Sequence, residues 1–253
     1  MNPFKKDTKQ LSIFITAGYP KINSLSEQLY LLQDHEVDFV EVGMPFSDPL
    51  ADGLVIQQSS QQAIRNGMTL ELLFKQLREI KANIHIPLVL MGYFNPVLQY
   101  GVQRFLKEAT QCGIKGVIIP DLPFEIYKRS YQKEFEKHSL SYIPLITPKS
   151  SDSLIKEAAE MSRNGFVYLV SQHATTGTDI EFRSSSKRYN EIRGLCGDTP
   201  LFIGFGIRTA SDLQAASKQC DGGIIGTAFI KALQGGTEKE FLKSLKEEAI
   251  QLG

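Results

Sequence analysis

Eight short apolar runs, each closed by turn residues and nearly all followed by a stretch with helical spacing, recur along the chain and constrain its fold more than any other feature. They are Leu11–Thr16, Val37–Val42, Ile86–Met91, Gly116–Asp121, Ser141–Ile146, Phe166–Val170, Leu201–Ile203 and Gly222–Ile225. Between them, apolar positions recur at helical spacing over 24–34, around 55–65, after Thr69, and over 102–112, 125–138 and 150–161. Thr209 opens another helix with a capping box in which Asp212 replaces the usual Glu or Gln. A short helix after Gly226-Thr227 and a last one opened by Thr237-x-x-Glu240 complete the series. This alternation predicts an α/β fold, a single (β/α)8 barrel over 1–253 with a closed parallel sheet and helices outside. A length of 253 residues suits the roughly 250 of such a barrel. An open doubly wound sheet is the alternative, because periodicity does not report closure. Against it, no G-x-G-x-x-G follows the first run, and the glycine-rich turns follow the last two.

Charge excludes some functions. The 28 basic and 28 acidic residues cancel, which gives no support for nucleic-acid or anionic-membrane binding. Three cysteines, Cys112, Cys196 and Cys220, are too few and too scattered for a disulfide framework or a zinc site. The first ten residues are polar and lysine-rich, and no 18-residue apolar stretch occurs, so the cytoplasm is the expected location. No metal-ligand spacing appears, and no nucleophile stands at recognisable spacing from a base.

The second run contains an acid where a strand buried on both faces should hold apolar side chains only. Alternation puts Phe39, Glu41 and Gly43 on one side and Val40 and Val42 on the other. An unpaired inward carboxylate is costly enough to raise its pKa, which makes Glu41 a candidate acid/base. Through a turn-rich loop, Pro45 to Gly53, a second acid, Asp52, reaches the same strand end. The bland alternatives are a salt-bridged Glu41 and an Asp52 that only caps the next helix. Gly204-Phe205-Gly206, Gly226-Thr227 and Gly177 are either turn glycines or a phosphate cradle after strands seven and eight, where barrels commonly hold phosphate. Phe14, Met91, Tyr93, Ile118, Ile146, Tyr168 and Phe205 lie at or near strand ends, as core or as walls for a flat apolar substrate. Asp121 ends strand four and reads as a loop hydrogen-bonding group. His173, in the long polar segment 171–186, reads as a solvated loop residue; loops of that length are often lids or disordered.

Glu41-Val-Gly-Met-Pro-Phe-Ser-Asp-Pro-Leu-Ala-Asp-Gly53 closely resembles the signature of the tryptophan synthase alpha chain family. The resemblance continues through Phe14-Ile-Thr-Ala-Gly18, Tyr93-Phe-Asn-Pro-Val97, Pro120-Asp-Leu-Pro123, Tyr168-Leu-Val-Ser171, Thr176-Gly177, Gly204-Phe-Gly206 and Gly226-Thr227. It implies a lyase that cleaves indole-3-glycerol phosphate to indole and glyceraldehyde 3-phosphate by a retro-aldol reaction in tryptophan biosynthesis. On that resemblance Glu41 is the general acid/base, and Asp52 binds the indole N–H and stabilises the cationic intermediate. Phe14, Met91, Tyr93, Ile118 and Phe205 line the indole site, Tyr168 positions substrate, and Thr176 belongs to a closing loop. Gly177, Gly206, Gly226 and Thr227 take the phosphate. The implied partner is a beta chain in an αββα heterotetramer, which receives indole and alone carries pyridoxal phosphate. Asp48, Pro49, Asn95 and Asp121 match positions at or near that contact. The sequence departs from the family pattern at Leu54, where proline is frequent, at Thr227, which replaces serine, and at Gln172, His173 and Ala174 in the loop. A regulatory subunit that activates the beta chain without catalysis, and another sugar-phosphate barrel such as an isomerase, are the competing functions. Retention of both acids argues against the first, and the thirteen-residue signature against the second.

Overall fold

The computed structural model describes residues 2–162, 164–171, 186–204 and 206–251. In chain order the elements begin with β1 (Gln10–Thr16), α1 (Ser24–Asp34), β2 (Phe39–Gly43), α2 (Leu54–Arg65), α3 (Leu70–Ile80) and β3 (Leu88–Met91). There follow α4 (Phe94–Tyr100), α5 (Val102–Gln111), β4 (Gly116–Ile118), α6 (Phe124–Ser130), α7 (Gln132–Lys137) and β5 (Ser141–Tyr142). Beyond them come β6 (Leu145–Ile146), α8 (Asp152–Met161), β7 (Val167–Val170), α9 (Ser186–Leu195), β8 (Leu201–Gly204), α10 (Ala210–Ser217), β9 (Gly222–Ile225), α11 (Thr227–Gly235) and α12 (Glu238–Gln251). The chain divides into two compact units, Phe14–Tyr142 and a second formed by residues 1–13 with 143–253.

In the first unit, strands run in the order β5-β4-β3-β2, with the end of β1 beside β2 through Ala17 N–H donating to the Gly43 carbonyl (3.0 Å). The pairings among β2, β3, β4 and β5 are parallel, and Glu41 stands opposite Val89. Helices form where the spacing predicts. On α3 the buried stripe is Leu73, Phe74 and Leu77, and Thr69 caps its start by accepting from Leu72 N–H (3.2 Å). Phe74 and Phe105 meet edge to face at 5.5 Å, and the Tyr127 and Tyr142 rings stack at 3.8 Å. The second unit orders its strands β1-β9-β8-β7-β6, again parallel. Its core includes Phe166, edge to face with Phe4 and with Phe202 at 4.9 Å each. Buried Asp221 accepts from Asp7 N–H and Leu201 N–H (2.7 Å each) and pairs with Arg193, which ties the N-terminal segment to the starts of β8 and β9.

Four of the differences from the expected elements have local causes that the structure shows directly. Strand five is two strands, β5 and β6, because Pro144 has no N–H to give a ladder. Strand four ends at Ile118, so Asp121 lies in a turn beyond it. The 125–138 helix breaks at Tyr131, whose ring packs edge to face on Phe94 at 5.0 Å. The turn expected at 92–96 opens α4 instead: Pro96 is tolerated in its first turn, and Gly101, at φ +91°, ends it and starts α5.

A tight strand contact gives a test of the β1–β9 pairing. A Cβ at Gly222 would lie 2.1 Å from the Gln10 carbonyl oxygen, a backbone atom that cannot turn aside. Gly222→Ala is therefore expected to lower unfolding stability by about 2 kcal/mol or more in urea denaturation; an unchanged midpoint would rule out this register.

Candidate active site

All five residues of β2 are buried, and Glu41 is 1% exposed. Its Oε1 has no hydrogen-bond partner among the described residues, and no ion pair reaches it there, so it is not the salt-bridged core acid of the bland alternative. Burial alone pushes its pKa from 4.5 to about 8. A neutral carboxylic acid at pH 7 is the consequence.

After Gly43 the chain leaves the strand through a turn held mainly by α2. Ser60 Oγ accepts from Phe46 N–H (2.9 Å) and donates to the Phe46 carbonyl (3.0 Å). Gln57 Nε2 donates to the Asp52 carbonyl (2.8 Å), and Ser47 Oγ donates to Asp48. Asp52 does not cap α2: the capping position is Gly53, without a side-chain bond. Its carboxylate instead accepts from the Tyr93 hydroxyl (3.1 Å), which in turn accepts from Ala51 N–H (2.8 Å). Burial raises the Asp52 pKa and the Tyr93 bond lowers it, to a net value of about 6. Burial, with Asp52 adding to it, pushes the Tyr93 phenol well above its usual value, so it is a neutral donor.

Asp52, Tyr93, Phe46 and Ser60 border an open pocket in the first unit. Of the expected residues, Phe14, Pro49, Asp52, Met91 and Tyr93 line it. Glu41 does not; Gly43, the next residue on its face, does. The missing side chain at Gly43 leaves room for Phe14, whose Cζ is 2.4 Å from where a Cβ would be. Ile118 is fully buried in β4 opposite Met91 and is not a lining residue. Thr16, Phe46, Ser60 and Pro120 line the pocket without having been singled out. Alternation along β1 puts Thr16 beside Phe14 and was the available signal. Asp48, Asn95 and Asp121 are exposed, and Asp121 accepts from Phe94 N–H (2.8 Å) at the start of α4.

In the second unit, Tyr168 is buried in β7 with its hydroxyl 1.8 Å from where a Cβ on Gly204 would sit, so residue 204 must be glycine. Gly206 adopts φ +91°, Gly226 precedes α11, and Thr227 is its exposed first residue. Thr176, Gly177, Phe205 and the departures Gln172, His173 and Ala174 lie outside the described residues, as does most of the 171–186 segment. Among the described residues, no group of three or more His, Cys, Asp and Glu is placed to hold a metal, and no helix is long and apolar enough to cross a membrane.

The buried acid has a consequence for stability. Folded, Glu41 keeps its proton to about pH 8; unfolded, it releases it near 4.5. The folded state thus binds the extra proton in this window, and wild-type stability falls as pH rises through it. Glu41→Gln has no such ionisation and is expected to gain on wild type by on the order of 4 kcal/mol between about pH 4.5 and 8 in urea titrations. Parallel stability curves for the two proteins would contradict the assignment.

The family model described as tryptophan synthase alpha chain matches residues 2–252. The tryptophan synthase alpha chain of Flavobacterium psychrophilum is 47% identical over 230 residues, 90% of each chain, and that of Flavobacterium johnsoniae 45% identical over 246 residues, 96% of this chain and 97% of that one. Among solved structures, the alpha chain from Legionella pneumophila superposes with a TM-score of 0.86 at 28% identity, covering 97% of this chain and 93% of that one. A mutant alpha subunit from Pyrococcus furiosus gives 0.85 at 31% identity, covering 98% and 99%. The fold is the (β/α)8 barrel that the alternation predicts, and the chain belongs to the tryptophan synthase alpha chain family, the indole-3-glycerol-phosphate lyases of tryptophan biosynthesis.

Proposed function

We propose that Glu41 and Asp52 carry the family's reaction, the retro-aldol cleavage of indole-3-glycerol phosphate to indole and glyceraldehyde 3-phosphate. The observation that carries the reading is the placement of the two acids: Glu41 is buried on β2 with an oxygen that has no partner among the described residues, while Asp52, in the turn, accepts from Tyr93, so burial lifts Glu41 to about 8 and Asp52 only to about 6. At pH 7 Glu41 is an acid and Asp52 is mostly an anion. Glu41 gives its proton to the ring carbon that bears the glyceryl chain, and the ring becomes a cationic indolenine. Asp52 holds the ring N–H and offsets that charge. The Glu41 carboxylate then takes the proton of the glyceryl hydroxyl as the carbon–carbon bond breaks. The bond's electron pair returns to the ring, the hydroxyl carbon becomes the aldehyde, and Glu41 ends protonated as it began. The tautomerised indole serves as the electron sink. The mechanism requires the Glu41 carboxyl to reach the pocket past Gly43.

Phe14, Met91 and Tyr93 would wall the indole, with Ile118 behind them and Phe205 as a further wall. Tyr168 would position substrate, and Thr176 would belong to the closing loop. Gly177, Gly206, Gly226 and Thr227 would take the phosphate; the α11 N-terminus after Gly226 supports this, since its free N–H groups favour an anion. One domain over 1–253, working in the cytoplasm, is part of the same reading. The partner is a tryptophan synthase beta chain in an αββα assembly, and pyridoxal phosphate belongs to that chain. Leu50, Leu54 and Leu98, exposed by 91, 75 and 47%, lie close in sequence to Asp48, Pro49 and Asn95 and support an apolar docking surface there. Asp121 would belong to it through its bond to α4.

Indole release from indole-3-glycerol phosphate by the purified chain, alone and with a cognate beta chain, tests the proposal. Wild type should release indole weakly alone and faster with the beta chain, while Glu41→Gln should lose release by about a thousandfold or more yet bind a phosphate-bearing analogue nearly as tightly. If release is absent under both conditions while the beta chain's use of added indole still accelerates, the chain is a regulatory subunit and the acid assignments fail.

A further inference from the structure

The Tyr93 hydroxyl makes two bonds that a pocket wall does not need. We propose that the Tyr93 hydroxyl is a positioning group that holds the Asp52 carboxylate at the pocket edge and fixes the turn that carries it. This rests on the reading that Asp52 acts as an anion in the cleavage.

The turn from Met44 to Gly53 is long, and among the described residues the Asp52 side chain has one hydrogen bond, from Tyr93 (3.1 Å). The phenol is placed from the opposite side. Tyr93 is 6% exposed, its ring packs on Phe46 at 5.3 Å, and the preceding Gly92 donates to the Ile118 carbonyl (3.1 Å). Ala51 N–H fills one lone pair of the phenol oxygen at 2.8 Å. The single hydroxyl hydrogen is then free to point only at Asp52, and accepting one bond strengthens donating the other. A donor so aimed favours the carboxylate over the protonated acid. Asp121, beyond β4, is the other charged group felt by the phenol, and Glu41 is the other acid of the site, on β2.

Removal of the hydroxyl separates this role from that of a wall. In the complex with a cognate beta chain, Tyr93→Phe keeps the ring and should lower kcat about tenfold, with KM changed less than about twofold. Its acid limb in the kcat profile should move up by on the order of one pH unit, because Asp52 then holds its proton longer. Replacement of Tyr93 by 3-fluorotyrosine, a stronger donor that keeps both bonds, should move the limb down, and this variant carries the test if Tyr93→Phe does not fold. On Asp52→Asn, adding Tyr93→Phe should cost little more. A kcat and acid limb unmoved in both Tyr93 variants, with Asp52→Asn inactive, would overturn the proposal and leave the reading of Asp52 intact. Full activity of Asp52→Asn would overturn that reading and the proposal with it.

Discussion

The site depends on one unfavourable placement, a carboxyl at the centre of a buried strand with one oxygen that has no partner among the described residues. Taking a carboxylate out of water without a counter-charge costs several kcal/mol, and the chain avoids that cost by keeping Glu41 protonated. The fold has to supply what makes this tolerable. Parallel ladders on β2 and its neighbours leave the backbone satisfied, and Val40 and Val42 pack the opposite face. A strand so held does not let Glu41 turn to solvent. Stability is thereby exchanged for an acid that is still protonated at neutral pH, as acid/base chemistry requires.

The second acid is treated differently by the same strand end. Asp52 sits in a turn instead of a strand, is less deeply buried, and receives a hydroxyl hydrogen bond. The two carboxyls are eleven positions apart in sequence and end with different proton affinities for this reason alone. Burial raises both, and among the described residues only Asp52 has a donor to oppose it. In the proposed reaction, Glu41 would give the proton while Asp52 faces the cation. The pocket at Asp52 is walled by Phe14, Met91 and Tyr93.

Much of this was legible in the residues because the relevant constraints are periodic or local. Strand alternation placed Glu41 with Phe39 and Gly43, the limits of α1 and β9 follow from apolar spacing, and Thr209 with Asp212 forms the predicted capping box. Other features depend on contacts that spacing does not carry. The Tyr93–Asp52 bond joins residues 41 apart, and Ser60 reaches back to Phe46 from a helix whose apolar pattern says nothing of it. Helix α9 was missed because its buried residues, Tyr189 and Ile192, are few, and because it is fastened by Arg188 to the Pro148 and Ser150 carbonyls. Helix α4 was hidden by Asn95-Pro96, which reads as a turn until Pro96 is seen inside a first helical turn.

The central claim is that surroundings split the two acids across neutrality, and the direct measurement is a carbon-13 NMR titration of the side-chain carboxyls. Protein labelled at Glu and Asp, with Glu41→Gln and Asp52→Asn spectra for assignment, would report each group separately. Glu41 should remain protonated at pH 7 and ionise near 8, while Asp52 ionises near 6. Two carboxyls titrating together near pH 4, as solvated acids do, would contradict the account.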